Sequence, residues 1–502
     1  MLPRLWGMLS RPTIMTSLVD LPVELLRAIC SQLRTNKDSS GHSDISRLSR
    51  TCRWHRDTIQ PLVFTAFAPD SNTPVCPRIL QLINALILRP DLAQHLKYID
   101  LADIDCDDPL SENESHLLNS IITKLSLQSL DPGFLTKPRP NPLPVIELLL
   151  LHTPNVVHLH LALSEVWRPF FLPSILINSR NTTLLPNLIT LTLTHQLIYN
   201  YHWDLGLPNF LTILRVAAPN LRHLCTDNPG SETQLEVATL TSNNLDCSID
   251  MSIYPPLPNL LHLNFDAVCS LSPDVLRGIV STAPRLEVFA LSTASNWDSG
   301  TGVGDSDRDC TVVDVWEVLW LRGETLREVR VDIMGYGNRQ EWGRGMEMAV
   351  DSAKLALAGS IGEFTRLEVL KVGGYALGVL EEMWRESGGD HDGFVEKLLP
   401  RGIQEVTFWE PEGSWIGALR QLAGVLALMK QARFPDLVSV VVAPVPESDV
   451  DIFREWKAKE DWLRASGELV KQFQGAGVRF EVQGERGREP AGPFELRNPF
   501  QF

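Results

Sequence analysis

A short apolar pattern recurs along most of the chain and constrains its fold more than any other feature. The pattern is Leu-x-x-Leu-x-Leu or a close variant, in which x is any residue. Clear copies start at Leu96, Val156, Leu188, Leu260, Leu286 and Leu367. Weaker copies start at Leu221, Leu326, Ile403 and Leu437. Alternating apolar residues over so few positions indicate short β-strands with one buried side.

A proline followed by a turn-forming residue precedes many of these copies. The lead-ins are Pro154-Asn155, Pro186-Asn187, Pro219-Asn220, Pro258-Asn259, Pro284-Arg285 and Pro435-Asp436. Proline ends the preceding helix, and the residue after it turns the chain into the next strand. Helical patterns at 273–281 and 314–321 lie between strands. The sequence therefore predicts the α/β class, with parallel strands on the concave face of a repeat solenoid and helices outside.

The spacing of the copies is irregular. Successive copies lie about 26 to 41 residues apart where the array is regular, against about 20 to 29 in typical leucine-rich repeats. A doubly wound α/β domain also alternates strands and helices, so that fold remains the alternative. The recurring Pro-Asn lead-in favours the repeat array.

The segment before the repeats has a different, helical pattern. It reads Leu21-Pro22-x-Glu24-Leu25-Leu26-x-x-Ile29-x-x-x-Leu33 and then Asp44-Ile45-x-x-Leu48-x-x-x-Cys52-Arg53-Trp54-x-x-x-x-Ile59. Asp20 stands at the N-cap position and Pro22 at the start of a first helix. We expect a second helix to carry Ile45, Leu48, Cys52 and Ile59. So short a segment cannot bury all its apolar surface, which leaves some of it available for a partner.

This segment resembles an F-box, and the repeats after it resemble the irregular leucine-rich-repeat region of fungal F-box proteins. The resemblance implies docking on the Skp adaptor of cullin-based ubiquitin ligases. The positions that match the family's contact residues are Leu21, Pro22, Leu25, Leu26, Ile29, Leu48 and Trp54. The polar insert at 35–43 is longer than the usual turn between the helices. The alternative is an ordinary helical hairpin packed on the following domain.

Charge and cysteine content limit the possible partners. The formal net charge of −16 over 502 residues argues against nucleic-acid binding, which needs a concentrated basic face. The F-box-like segment is locally basic, which favours an acidic partner. Eight cysteines without a Cys-x-x-Cys pair suggest reduced thiols in the cytoplasm or nucleus. No apolar stretch reaches the roughly 20 residues of a membrane-spanning helix, and no secretory signal is predicted.

The order of segments follows from these patterns. We expect a flexible N-terminus at 1–17, the F-box at 18–66, and a linker with a first helix at 67–90. The repeat solenoid is predicted at 91–483, with insertions near 131–144 and 297–309. A long helix at 449–474 and a strand at 478–482 are expected to cap it. Residues 484–502 form a predicted flexible tail.

The pattern also predicts which side chains leave the core. In each copy, the residues on either side of the second apolar position point to the concave face. The candidate target-binding residues there are Tyr98, Asp100, His158, His160, Thr190, Thr192, His223, His262 and Asn264. A metal or pH-sensing histidine ladder is an alternative, but Thr190 interrupts the series and no carboxylate or thiolate completes a ligand set. An ordinary solvated face is the other alternative.

No motif supports an active site. Asp305-x-Asp307-x-Asp309 lacks the glycine and glutamate of a calcium loop, and no serine-hydrolase, zinc-protease or phosphate-loop signature occurs. We therefore expect an adaptor rather than an enzyme, with no cofactor, no metal and no membrane contact. It would bind the Skp adaptor, through it a cullin, and an unidentified target protein. A repeat scaffold outside any ligase and, less favoured, an α/β enzyme are the alternatives.

Overall fold

The protein has a parallel sheet with helices between its strands. A computed structural model describes residues 22–35, 40–69, 75–102, 110–125, 143–163, 184–195, 218–227, 257–268, 273–293, 312–332, 361–373, 376–377, 380, 398–409, 415–443 and 466–482. Twelve strands in these residues follow one another in chain order in one sheet. The described chain divides into two compact units: the first holds the described residues up to Leu159 except Ala102, and the second holds Ala102 and the described residues from His160 onward. The predicted α/β class is confirmed.

The first unit is mainly helical. Its helices are α1 (Val23–Thr35), α2 (Ser40–Ser49), α3 (Arg53–Val63), α4 (Val75–Leu88), α5 (Pro90–Ala93), α6 (Glu112–Lys124) and α7 (Leu143–Leu151). Strand β1 (Ala66–Phe67) pairs in parallel with β2 (Tyr98–Leu101). The amides of Val157 and His158, at the start of β3 (His158–Leu163), donate to the carbonyl of Lys97.

The helix expected over 45–59 is two helices. The amides of Arg50 and Thr51 donate to the carbonyls three residues earlier, a tight geometry that ends α2. Cys52 is then the N-cap of α3, and its Sγ accepts a hydrogen bond from the His55 amide at 3.4 Å. In the 67–90 segment, the first helix is α4, which begins at Val75.

The second unit carries the regular part of the sheet. Its strands are β4 (Thr190–His195), β5 (His223–Asp227), β6 (His262–Val268), β7 (Val288–Thr293), β8 (Glu328–Asp332), β9 (Val369–Gly373), β10 (Glu405–Trp409), β11 (Ser439–Ala443) and β12 (Arg479–Val482). Its helices include α8 (Pro273–Thr282), α9 (Val312–Trp320) and α10 (Trp415–Arg433). Helices at both predicted positions, 273–281 and 314–321, are thereby confirmed.

One row of buried side chains crosses this unit. Every copy of the apolar pattern coincides with a strand, and from β4 to β11 its second apolar residue pairs with the equivalent residue of the next strand. The row consists of Leu191, Leu224, Leu263, Phe289, Val329, Leu370, Val406 and Val440. All eight side chains are completely buried. The strand register predicted from the sequence is therefore confirmed.

The asparagines of the Pro-Asn lead-ins join neighbouring repeats. The Asn220 side-chain amide donates to the carbonyl of Pro186 at 2.7 Å, and the Asn259 amide donates to the carbonyl of Pro219 at 3.1 Å. Within each turn, the amide of Leu221 or Leu260 donates back to the residue three positions earlier. The asparagine therefore does more than turn the chain, because it also satisfies a carbonyl of the preceding turn.

Several expectations fall on residues outside the described ranges. These include the insertion near 297–309, the tail 484–502 and most of the segment 131–144, whose last two residues begin α7. Of the capping helix expected over 449–474, residues 466–475 are described and are helical, and β12 follows them as expected. Within the described helices, none combines the length and the apolar character needed to cross a bilayer.

The row of buried side chains predicts a sharp contrast between two identical substitutions. Leu263 is completely buried, whereas Leu428 on α10 is 87% exposed. Leu263→Ala should lower the free energy of unfolding by about 2 to 5 kcal/mol, because it removes buried contacts and leaves a cavity. Leu428→Ala should change it by less than about 0.5 kcal/mol. Chemical denaturation measures both, and similar losses would contradict the assigned core.

The asparagine contact predicts an effect of a nearly isosteric change. Asn259→Asp replaces the donating amide with a carboxylate oxygen that cannot donate to the Pro219 carbonyl. We expect a loss of about 1 kcal/mol in unfolding free energy, measured by urea denaturation at pH 7. Asn259→Ala separates the lost hydrogen bond from the added charge. Equal stability of wild type and both variants would show that the contact contributes nothing.

Candidate interaction surfaces

Helix α1 has an exposed apolar pair beside a closed core. Leu25 is 53% exposed and Ile29 is 44% exposed, and their spacing of four places them on one side of the helix. Leu26 is completely buried with Cys30, Ile45 and Ile59 in the core of α1, α2 and α3. Leu26 therefore belongs to the core rather than to the exposed surface, although the family pattern groups it with the contact residues.

The remaining predicted adaptor contacts have mixed positions. Pro22 is exposed at the start of α1, and Leu21 lies outside the described residues. Leu48 and Trp54 are partly buried and pack against the same helical core. The Trp54 ring lies 5.2 Å from that of His55. The arrangement leaves Pro22, Leu25 and Ile29 as the accessible apolar residues of the set, with part of Leu48 and Trp54.

Positive charge accompanies this apolar surface. Arg47, Arg50, Arg53 and Arg56 are exposed on α2, α3 and their junction. Arg53 lies 3.9 Å from Asp57, a long ion pair between exposed side chains that contributes little to stability. The arginines thus form a local basic surface on a chain with a net charge of −16. Such a surface favours encounter with an acidic partner.

The sheet has a second side, which we call the open face. In the second unit it consists of the strand residues that flank the central buried row. On β4 to β6 these residues include no carboxylate, ammonium or guanidinium group, whereas on β8 to β10 they include four charged groups. The first zone contains Thr190, Thr192, His223, Cys225, His262 and Asn264, and the charged groups are Glu328, Arg330, Lys371 and Glu405.

The shorter side chains of the first zone are less accessible than the pattern suggested. Thr190 is only 2% exposed, and Cys225 and Asn264 are also buried, whereas Thr192, His223 and His262 are half-buried. Thr190 lies directly opposite His223 in the parallel pairing. A short side chain beside an imidazole ring has little contact with solvent. The accessible part of the zone is therefore formed by Thr192, His223 and His262.

Two histidines of this zone are in contact. The rings of His223 and His262 lie edge to face, with centroids 4.4 Å apart. Burial lowers the pKa of His262, and the negative charges of Glu287 and Glu328 oppose that shift. His160 forms a hydrogen bond with the hydroxyl of Thr194 on β4. In the described part of the chain, no group of three or more His, Cys, Asp or Glu side chains could hold a metal ion.

Two candidate residues of the first unit, Tyr98 and Asp100, contact each other. The Tyr98 hydroxyl donates to a carboxylate oxygen of Asp100 at 3.0 Å along β2. Burial and then the Asp100 charge raise the pKa of Tyr98, so the phenol stays protonated at neutral pH. His158 is half-buried, and burial lowers its pKa. His158 therefore presents a neutral imidazole, and Tyr98 presents a phenol that is hydrogen-bonded to the Asp100 carboxylate.

Two charge pairs on β8 to β10 involve residues that were not among the predicted site residues. Arg330 lies 2.5 Å from Glu328 on the same strand, and Lys371 lies 3.5 Å from Glu405 on the next strand. Arg330 and Lys371 are directly opposite each other. Like charges in this position repel, and the two glutamates offset that repulsion. The sequence pattern places all four residues on the open face. Which charges lie opposite each other depends on how neighbouring strands are aligned, and the pattern alone does not give that alignment.

No protein-family model matches the chain, and no curated protein matches it. The residues and their geometry are therefore the basis for assigning a function.

A glycine at the end of β9 gives a prediction for this face. A Cβ added at Gly373 would lie 2.6 Å from Oδ1 of Asp332 on β8, closer than real contacts allow. Gly373→Ala should therefore cost about 1 kcal/mol or more in unfolding free energy. In an Asp332→Ala background the same change should cost much less, because the obstructing carboxylate is gone. A double-mutant cycle by chemical denaturation measures this coupling, and additive effects would contradict it.

Proposed function

We propose that this chain is a substrate-recognition adaptor of a Skp, cullin, F-box type ubiquitin ligase. The observation that carries the proposal is the exposed pair Leu25 and Ile29 on α1, beside a core that is already closed by Leu26, Cys30, Ile45 and Ile59. The segment with this pair is also the one that resembles an F-box.

Leu25 and Ile29 lie outside the helical core, so core packing does not account for two large apolar side chains at these positions. Leu26 and Cys30 occupy the buried side of α1, so the helix is anchored without Leu25 and Ile29. Because both side chains are about half exposed, keeping them in water forgoes roughly half of the 1.5 to 3 kcal/mol that full burial of each would contribute. A partner that covers both recovers that free energy on binding. The exposed arginines nearby give such a partner a preferred charge, which is negative.

The second unit supplies a surface suited to a target protein. Strands hold side chains rigidly, so contacts on the open face cost little conformational entropy. The candidate target-binding residues Thr192, His223 and His262 are half-buried there and offer both hydrogen-bond donors and acceptors. In this proposal, catalysis belongs to other subunits, and the adaptor raises the effective concentration of a target lysine near the charged conjugating enzyme.

Substitution of the exposed pair tests adaptor docking directly. Leu25→Ala and Ile29→Ala should each weaken binding of a purified Skp adaptor by about 2 kcal/mol, or about thirtyfold. The double variant should not capture the adaptor in a pull-down. Its thermal unfolding should match that of wild type, since neither side chain is in the core.

Two further variants make the result specific. Leu88 on α4 is 69% exposed and lies in the same unit, so Leu88→Ala is a matched control that should bind normally. Leu26→Ala should destabilise the helical core and thereby reduce binding indirectly. Undiminished capture by the Leu25, Ile29 double variant would reject this docking mode. Absence of binding by wild type would favour a scaffold outside any ligase.

A further inference from the structure

The contact between His223 and His262 brings two titratable rings together on neighbouring strands. The two residues are directly paired in the parallel register of β5 and β6, and their rings meet at an interplanar angle of 83°. Edge-to-face contact is favourable between neutral rings. It also tolerates one protonated ring, whose positive edge can point at the face of the other. Two protonated rings at this separation repel each other.

The surrounding charges act in opposite directions on the pair. From the lead-in of β7 and from β8, Glu287 and Glu328 favour a proton on His262. Arg222, in the lead-in of β5, precedes His223 and is exposed. Among the described side chains of these strands, Cys225 is a further titratable group, two residues after His223 on the same face, whereas Thr190 on β4 and Val288 on β7 do not titrate. Burial, the dominant effect on the pKa of His262, disfavours its charged form.

We propose that the His223–His262 pair is an acid-sensitive latch between β5 and β6. The pair takes up two protons in separate steps, because the first charge disfavours the second. The first proton leaves the ring contact in place. The second breaks it and exposes the short side chains beside the rings, Cys225 and Asn264, which are buried in the closed form. This device is a property of the fold and does not depend on the ligase assignment.

The direction of the effect follows from linkage. An unfolded or opened histidine binds its proton near pH 6.5, whereas burial lowers the pKa of His262 in the closed form, so His262 takes up its proton there at a lower pH. Between these values the open state binds more protons, so the closed state loses stability as pH falls. Below the pKa of the closed state, both forms are protonated and the loss is complete. Each pH unit between the histidine pKa of the open state and that of the closed state therefore raises the open population by up to about tenfold.

Accessibility of the Cys225 thiol tests the latch on the intact protein. Cys225 and Cys30 are both buried and in no disulfide, and Cys30 lies in the helical core of the first unit. Labelling with 4,4′-dithiodipyridine, which reacts with thiols at acidic pH, is followed at each cysteine by peptide mass spectrometry. The ratio of the Cys225 rate to the Cys30 rate should rise by about tenfold between pH 7.5 and pH 5.5.

Variants link this rise to the histidine pair. His262→Gln removes one titrating ring and should abolish most of the rise, whereas His95→Gln, at an exposed position of the first unit, should behave as wild type. A constant ratio in wild type, or the same rise in His262→Gln, would overturn the proposal. If His262→Gln does not fold, histidine ring NMR of the wild type decides. Two titration steps at least about one pH unit apart support the latch, and a single shared step overturns it.

Discussion

The second unit depends on parallel pairing that keeps one residue of every strand in the same buried row. Side chains alternate across a strand, so a slip of one residue would move every leucine of the pattern from the core to the open face. Leu191, Leu263 and Leu370 hold three strands in that register. The position of the open face follows from the same constraint. The residues on either side of the buried row point to the other side of the sheet, because side chains alternate along a strand.

The two surfaces proposed for binding differ in how they are built. On α1, an apolar pair is exposed because the helix buries a different side, and the same helical segment carries exposed arginines on α2 and α3. On the open face, polar and charged groups are held by strands whose core is on the opposite side. Arg330 and Lys371 stand opposite each other and each is matched by a glutamate. The first surface suits burial against a partner, and the second suits recognition by hydrogen bonds and charge.

Strand positions could be predicted from this sequence because the apolar residues of each copy are the residues that the strand buries. Other features depend on contacts between distant residues and could not. The break between α2 and α3 follows from hydrogen bonds around Thr51 and Cys52 within an otherwise continuous helical pattern. Spacing placed Thr190 on the open face, but its burial depends on a neighbouring strand. Family resemblance grouped Leu26 with the adaptor-contact residues, whereas packing assigns it to the core.

The asparagine bonds between turns have a consequence for synthesis of the chain. The Pro186 carbonyl is satisfied by Asn220, which follows 34 residues later, and the Pro219 carbonyl by Asn259, 40 residues later. A ribosome adds about 5 to 20 residues per second, so each of these turns waits about 2 to 8 seconds for its partner to be made. During that interval the newest strand is also the open edge of the growing sheet. The nascent chain thus always ends in one incomplete repeat, the part of it that is most open to chaperones or to mispairing.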